Sequence, residues 1–270
     1  MGGDWLRPLG CAARTPAGAA WRLAEQRWRR FIEPADRVLA GERGPADDVQ
    51  VLKEGPNRLV FRLAAGGESV VVKAFPMGSL KQRLLRYRRY GPAECRNLLA
   101  AAALGLPVAR VLGFGLRRRW GLVRSSMVML EDLAPRQPIV ALLRQSAGNA
   151  ARQRALLDAA GGVLLALYHA GCHNIDFNAG SVLLDESLGD ARMIDFQYAR
   201  FLRAPSPAVL LAQMGRFALS CRQRAPNLPV DEWAEALIAR AGLGEPQRQL
   251  AAFRHWAGRE HSRRKRLKVR

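Results

Sequence analysis

The spacing of apolar positions changes along the chain from alternation to a period of about 3.6, dividing it into a strand-rich first half and a helix-rich second half. Residues 49–53, 58–63 and 69–75 are short runs rich in Val, Leu and Phe that read as strands, and Gly66-Gly67 supplies a turn between the second and third runs. Together they predict an antiparallel meander. Residues 111–114 and 127–130 are two further strands, and a helix over 92–104 opens with Pro92 and ends at Gly105. Upstream, Trp21, Ala24, Trp28 and Phe31 recur at helical spacing and predict a helix over residues 19–32, within an appended arm of residues 1–48.

In the second half, helices are predicted over 139–145, 151–170, 208–224, 231–240 and 247–256. A short hairpin interrupts them, with strands at 182–184 and 192–194 and the turn Asp185-Glu186-Ser187-Leu188-Gly189-Asp190 between. The most apolar stretch, residues 159–168, is about ten residues long where a membrane span needs roughly twenty, so it reads as a buried helix. No internal repeat is present at solenoid periods.

This order of elements implies an α+β chain in two lobes: a small β-rich lobe over 49–130 and a larger helical lobe over 131–262, with a basic tail at 263–270. The break at Glu131-Asp132-Leu133-Ala134-Pro135 is the expected junction. Cys11, Cys95, Cys172 and Cys221 are widely spaced and form no CxxC pair, which excludes a zinc ribbon or a dense disulfide framework and suits a reducing cytosol. The N-terminus has no apolar run long enough for a signal peptide.

Charge narrows the partners. The 270 residues carry 43 Lys and Arg against 23 Asp and Glu, a formal net charge of +20. An anionic partner is implied, and nucleic acid, an anionic membrane surface and a phosphorylated substrate all satisfy that requirement. No zinc-finger, helix-turn-helix or RNA-recognition signature accompanies the basic runs, which argues against nucleic acid.

Four ionisable residues fall where a bilobal, protein-kinase-like fold places its chemistry. Lys73 ends the Val70-Val71-Val72-Lys73 strand, from which an ammonium can reach ATP phosphates, and Glu94 on the following helix can hold it. Asp176 lies in Asn174-Ile175-Asp176-Phe177-Asn178-Ala179-Gly180-Ser181, directly after the longest apolar helix. A carboxylate there can accept an acceptor hydroxyl's proton. Asp195 in Met193-Ile194-Asp195-Phe196 closes the hairpin, where a hard carboxylate can bind Mg²⁺ bridging the phosphates. Each residue alone is ordinary surface decoration; their order and spacing carry the reading.

Over residues 49–203 the chain resembles the lipopolysaccharide core kinases, the Kdo/WaaP family of sugar kinases with a protein-kinase-like fold. The resemblance rests on Lys73-Ala74-Phe75, the basic Leu80-Lys81-Gln82-Arg83-Leu84-Leu85, Glu94, Gly105-Leu106-Pro107-Val108 and Gly113-Phe114-Gly115. Asp176-Phe177-Asn178-Ala179 and Ile194-Asp195-Phe196 complete it. It implies an ATP- and Mg²⁺-dependent kinase acting on a Kdo or heptose hydroxyl of the lipopolysaccharide inner core. Such an enzyme is cytoplasmic and peripheral at the inner face of the inner membrane. The basic residues 81–89 and the tail at 263–270 are then candidate contacts to the anionic glycolipid.

The implied roles are Asp176 as catalytic residue, Lys73, Glu94 and Glu131 as nucleotide-binding residues, and Asp195, Ser181 and Asn178 as metal ligands. The chain departs from the pattern in places. Asn174 stands where a histidine precedes the catalytic aspartate, with His173 one position early. Ser181 replaces the metal-binding asparagine, Gln197 replaces a glycine, and Glu54-Gly55-Pro56-Asn57 has a single glycine in the nucleotide-loop region. Those departures keep open a degenerate kinase that binds glycolipid or nucleotide without phosphoryl transfer. A kinase for a soluble small molecule of the aminoglycoside or choline type is the other alternative, and the +20 charge argues against it.

Overall fold

A computed structural model of the chain describes residues 5–42 and 48–258. These divide into two compact units, the first formed by the chain up to Ala103 together with Ala109–Asp132, the second by Leu104–Val108 and the chain from Leu133. The chain passes finally from the first unit to the second between Asp132 and Leu133.

The first unit is a seven-stranded antiparallel sheet with the order β1-β2-β6-β7-β5-β4-β3. Its strands are β1 (Cys11–Arg14), β2 (Ala19–Leu23), β3 (Val49–Gly55), β4 (Arg58–Ala65), β5 (Glu68–Pro76), β6 (Val111–Arg119) and β7 (Leu122–Glu131). The meander is the predicted one, with each strand extended by one or two residues. β6 and β7 are much longer than their apolar centres suggested. They join through the two-residue turn Trp120-Gly121, whose φ values of 51° and 76° are those of a type I′ hairpin.

Alternation along β5 sorts its side chains. Val70, Val72 and Ala74 enter a core with Trp21, Phe61, Leu63, Met127 and Met129, into which α1 (Ile32–Leu39) also packs. Lys73 and Phe75 turn to the other face, where α2 (Gly91–Ala103) lies.

The helix expected over residues 19–32 is not formed. Ala19, Trp21 and Leu23 are buried while Ala20 and Arg22 are exposed, the alternation of a strand, and β2 pairs along β6. A 3₁₀ turn at Gln26–Phe31 and α1 follow. Trp21, Trp28 and Phe31 do reach one core, with Ala24 packed against it, but through two kinds of element rather than one helical face. Nor is this segment an appended arm: β1 and β2 are integral strands of the sheet. The Gly113-Phe114-Gly115 run makes room for them. Trp21 pairs with Gly115, and a Cβ on Gly115 would stand 2.5 Å from the indole.

The second unit holds α3 (Ile139–Gln145), α4 (Ala150–His169), α5 (Pro207–Arg222), α6 (Val230–Arg240) and α7 (Pro246–Ala257). Two small sheets accompany them. One has the order β11-β10-β8, from Ala191–Met193, Val182–Leu184 and Gln137–Pro138; the other pairs β12 (Ala199–Phe201) with β9 (Cys172–Asn174). A run of aromatic contacts from Phe177 through Phe217 and Trp233 to Phe253 spans the core, with centroid separations of 5.6, 5.5 and 6.4 Å. The indole N–H of Trp233 donates to the Leu157 carbonyl at 2.8 Å, satisfying the one polar atom buried with that ring. The Leu106-Pro107-Val108 segment belongs here because the Met193 N–H donates to the Pro107 carbonyl at 2.7 Å.

All four cysteines are free thiols, and no helix among the described residues is long and apolar enough to cross a membrane. The basic tail at 263–270 lies outside the described residues.

Candidate active site

In the first unit, the Lys73 ammonium meets the Glu94 carboxylate at 3.0 Å, with only 5% and 1% of the two side chains exposed. Three structural choices produce this contact. Strand alternation points Lys73 at α2, Glu94 lies one turn into that helix, and Gly91 lets the helix start against β7. A Cβ on Gly91 would fall 2.6 Å from the Ser126 hydroxyl oxygen. Burying two charges is costly unless they pair well, so the geometry is specific.

Glu131 is not brought to this pair. Its carboxylate accepts the Arg110 backbone N–H at 2.8 Å, and its own N–H donates to the Arg110 carbonyl, so its side chain fastens the end of β7. The neighbouring Asp132 accepts from Ser69 at 2.8 Å and pairs with Arg62 at 2.6 Å, tying β4 and β5 to the same end.

In the second unit, Asp176 and Asp195 are linked through Asn174. The Asn174 side-chain carbonyl accepts the Asp176 N–H at 3.2 Å, and its amide donates to the Asp195 main-chain carbonyl at 3.1 Å. Asp195 has φ 67°, a left-handed backbone that a non-glycine residue adopts only where its surroundings enforce it. Arg216, from α5, reaches the Asp176 carboxylate at 3.3 Å and fixes its orientation. Neither contact was legible in the sequence, where Asn174 read only as a departure and Arg216 carried no motif.

The loop after Asp176 is closed by its own side chains. The Asn178 amide donates to the Asp176 carbonyl at 2.6 Å, and its Oδ1 accepts the Gly180 N–H at 2.8 Å. Ser181 is buried. Its hydroxyl donates to the Asn178 carbonyl at 2.7 Å and accepts the Asn178 N–H at 3.0 Å. Ser181 thus serves as the loop's clasp, with both hydrogen bonds of its hydroxyl made to Asn178. The Ser181 carbonyl accepts from Ile194 at 2.9 Å, carrying the same network to the residue before Asp195.

His173 is buried beside this network, and its Nε2 has no hydrogen-bond partner. Burial holds its imidazole below the usual pKa, and the cations of Arg200 and Arg216 push in the same direction. It is therefore a neutral packing residue.

No cluster of three or more His, Cys, Asp or Glu side chains occurs among the described residues. Mg²⁺ takes one or two protein carboxylates and completes its shell with water and substrate phosphate oxygens, so its binding does not require such a cluster. The Asp195 carboxylate and Asn178 Oδ1, both expected from the sequence as ligands, are oxygen donors of the type that Mg²⁺ takes.

With this geometry in place, comparison with known proteins is decisive for residues 79–206, which match the family model described as the lipopolysaccharide kinase (Kdo/WaaP) family. That segment is similar to the family's members. Its Kdo/WaaP span contains Glu94, the Asp176 loop and Asp195, while Lys73 lies just before it. No curated protein matches the chain.

Among solved structures, WaaP in complex with acyl carrier protein is similar with a TM-score of 0.61 and 18% identity, covering 88% of this chain and 97% of that one. The fold is thus the α+β, protein-kinase-like one, strand-rich first and helical after. The Kdo/WaaP match of residues 79–206 supports a phosphotransferase acting on a sugar hydroxyl, and kinase chemistry draws the phosphoryl group from ATP.

Proposed function

We propose that this protein transfers the γ-phosphoryl group of ATP to a Kdo or heptose hydroxyl of the lipopolysaccharide inner core, working in the cytoplasm at the inner face of the inner membrane. The observation that carries the kinase reading is the buried Lys73–Glu94 ion pair. An ammonium held in that way has a fixed position for nucleotide phosphates, and a lobe with no ligand has no need of it.

In this reading Lys73 positions the α and β phosphates and Glu94 holds Lys73. Asp176, oriented by Arg216, aligns the sugar hydroxyl and accepts its proton as the hydroxyl oxygen bonds to the γ-phosphorus and ADP leaves. Asp195, with Asn178, would hold Mg²⁺, which neutralises phosphate charge when bound. The net charge of +20 suits a polyanionic, lipid-anchored acceptor.

Transfer of labelled γ-phosphate from ATP to deep-rough lipopolysaccharide tests the assignment. Label on a core sugar, lost in Asp176→Ala and in Asp195→Ala while ATP binding to Asp176→Ala persists, is the expected result; undiminished transfer by either variant overturns that residue's role. Locating the label on Kdo or on heptose decides the acceptor.

A second reading is supported by Ser181, whose hydroxyl closes the loop instead of reaching outward. A protein that binds glycolipid or nucleotide without transferring phosphate predicts tight binding and no label. The similar WaaP structure contains an acyl carrier protein. We carry that partner over as a candidate, tested by co-purification.

A further inference from the structure

The segment between β5 and α2 has its polarity inside out. Gln82–Arg86 forms one π-helical turn and Tyr87–Arg89 one 3₁₀ turn, and neither buries a single residue. Arg83 is drawn inward, its guanidinium donating to the Met77 and Gly78 carbonyls at 2.9 and 3.0 Å. Leu80, Leu84 and Leu85 are left exposed, Leu85 to 72%. Leucine side chains turned to water while an arginine is tied to backbone is unfavourable for a free surface, and marks a surface that meets an apolar partner.

The β6–β7 hairpin tip lies alongside. Tyr87 accepts from Arg88 at 3.3 Å, and β7 packs on both turns. The Tyr87 hydroxyl is made more acidic by Arg88 and, less strongly, by Arg118 near the end of β6. At the tip, Trp120 is 84% exposed with φ 51°, and the Arg119 guanidinium covers its ring at 4.4 Å. A left-handed backbone at a bulky aromatic residue is costly, and here it holds an indole out of the protein.

The charge along the chain that carries these apolar groups has one exposed sign. Between Ser69 and Leu130 the only carboxylate is Glu94, which is buried against Lys73. Exposed leucines and tryptophan among arginines, with no exposed acid in the stretch, match the boundary of an anionic bilayer. Acyl chains accept the leucines, the headgroup layer accepts the indole, and lipid phosphates pair with guanidinium groups.

We propose that residues 80–89 and the Trp120 hairpin tip form a docking face that inserts into an anionic lipid surface. This deepens the reading of a membrane-linked acceptor and rests on it for its biological sense. Nucleic acid fits the face less well, because the three leucines find no apolar surface on a phosphate backbone.

Sedimentation of the full chain with phosphatidylcholine vesicles, with and without phosphatidylglycerol, tests the proposal in the absence of ATP and acceptor. Its failure is thereby distinguishable from failure of the kinase reading. Wild type is expected to bind only the anionic vesicles. The Leu84→Ser/Leu85→Ser/Trp120→Ser variant should bind them at least about tenfold more weakly with an unchanged thermal midpoint. Arg86→Gln and Arg119→Gln should each cost roughly fivefold, less at high salt. Undiminished binding of the triple variant overturns the proposal, as does wild type that ignores anionic vesicles. Binding to duplex RNA with the vesicles ignored assigns the face to a nucleic acid and equally overturns it.

Discussion

The side-chain amide of Asn174 donates to the main-chain carbonyl of Asp195 at 3.1 Å, while the oxygen of the same amide accepts the Asp176 N–H. One buried side chain thereby sets the relative placement of two carboxylates that are distant in sequence.

Asn174→Ala should lower kcat by about tenfold to a hundredfold, since small errors in positioning are amplified in the transition state. Stability should fall by about 1–3 kcal/mol from the two unsatisfied backbone groups. Steady-state kinetics well below the variant's melting temperature separates the two effects. An unchanged kcat there would confine Asn174 to a structural role.

Lys73→Met leaves Glu94 buried opposite no cation, and a broken buried pair costs on the order of 3–5 kcal/mol. The double variant Lys73→Met/Glu94→Leu replaces both charges with apolar side chains and should recover most of that stability while remaining inactive. Urea unfolding of the single and double variants, beside phosphoryl-transfer assays, checks both halves of the prediction.

Gly91→Ala tests the start of α2. The new methyl would meet Ser126 Oγ at 2.6 Å and Ser126 Cβ at 2.9 Å, so the helix must shift and carry Glu94 away from Lys73. Weaker ATP binding and a stability loss of about 1–3 kcal/mol are expected. Gly91→Ala/Ser126→Gly reopens the space, and recovery of ATP affinity in an equilibrium binding assay is the discriminating result.

His173 predicts a pH dependence. Its folded pKa lies below the unfolded value of 6.5, so between the two the unfolded chain binds a proton that the native protein does not. Stability is therefore fully present above pH 6.5 and is lost as pH falls from there toward the folded pKa. His173→Gln should flatten this limb of the profile. Denaturant midpoints at pH 7.5 and 5.5 for the two proteins provide the measurement; equal slopes would remove His173 as the cause.

Much of this was legible along the chain. Runs such as Val70-Val71-Val72-Lys73 and the long apolar helix now bounded as Ala150–His169 carry their period in their own residues, so their elements were found to within a few positions. The Lys73–Glu94 contact was also foreseeable, because strand alternation fixes the side from which Lys73 projects and the next helix must cover it.

Trp21 misled for a physical reason. Its spacing to Ala24, Trp28 and Phe31 satisfies a helix, yet Trp21 reaches the core from a strand and Trp28 and Phe31 from a 3₁₀ turn, with Ala24 packed against it between the two. Period alone does not distinguish these routes when the pairing partner, β6, is far away in the sequence. The loop contacts of Ser181 were not legible for a different reason, since a hydroxyl's place in the sequence says nothing of which neighbouring donor and acceptor it will prefer.

The sequence alone thus determined the strand-rich first half, the helical second half, the strong positive charge and the elements on which Lys73, Glu94, Asp176 and Asp195 fall, because these follow from local periodicity and composition. Tertiary structure decided that β1 and β2 complete the sheet, that Asn174 joins Asp176 to Asp195 and that Arg216 orients Asp176. It also decided that Leu84, Leu85 and Trp120 face outward. Each of these depends on which distant groups end up within hydrogen-bonding or packing range, a matter of chain closure that no local pattern records.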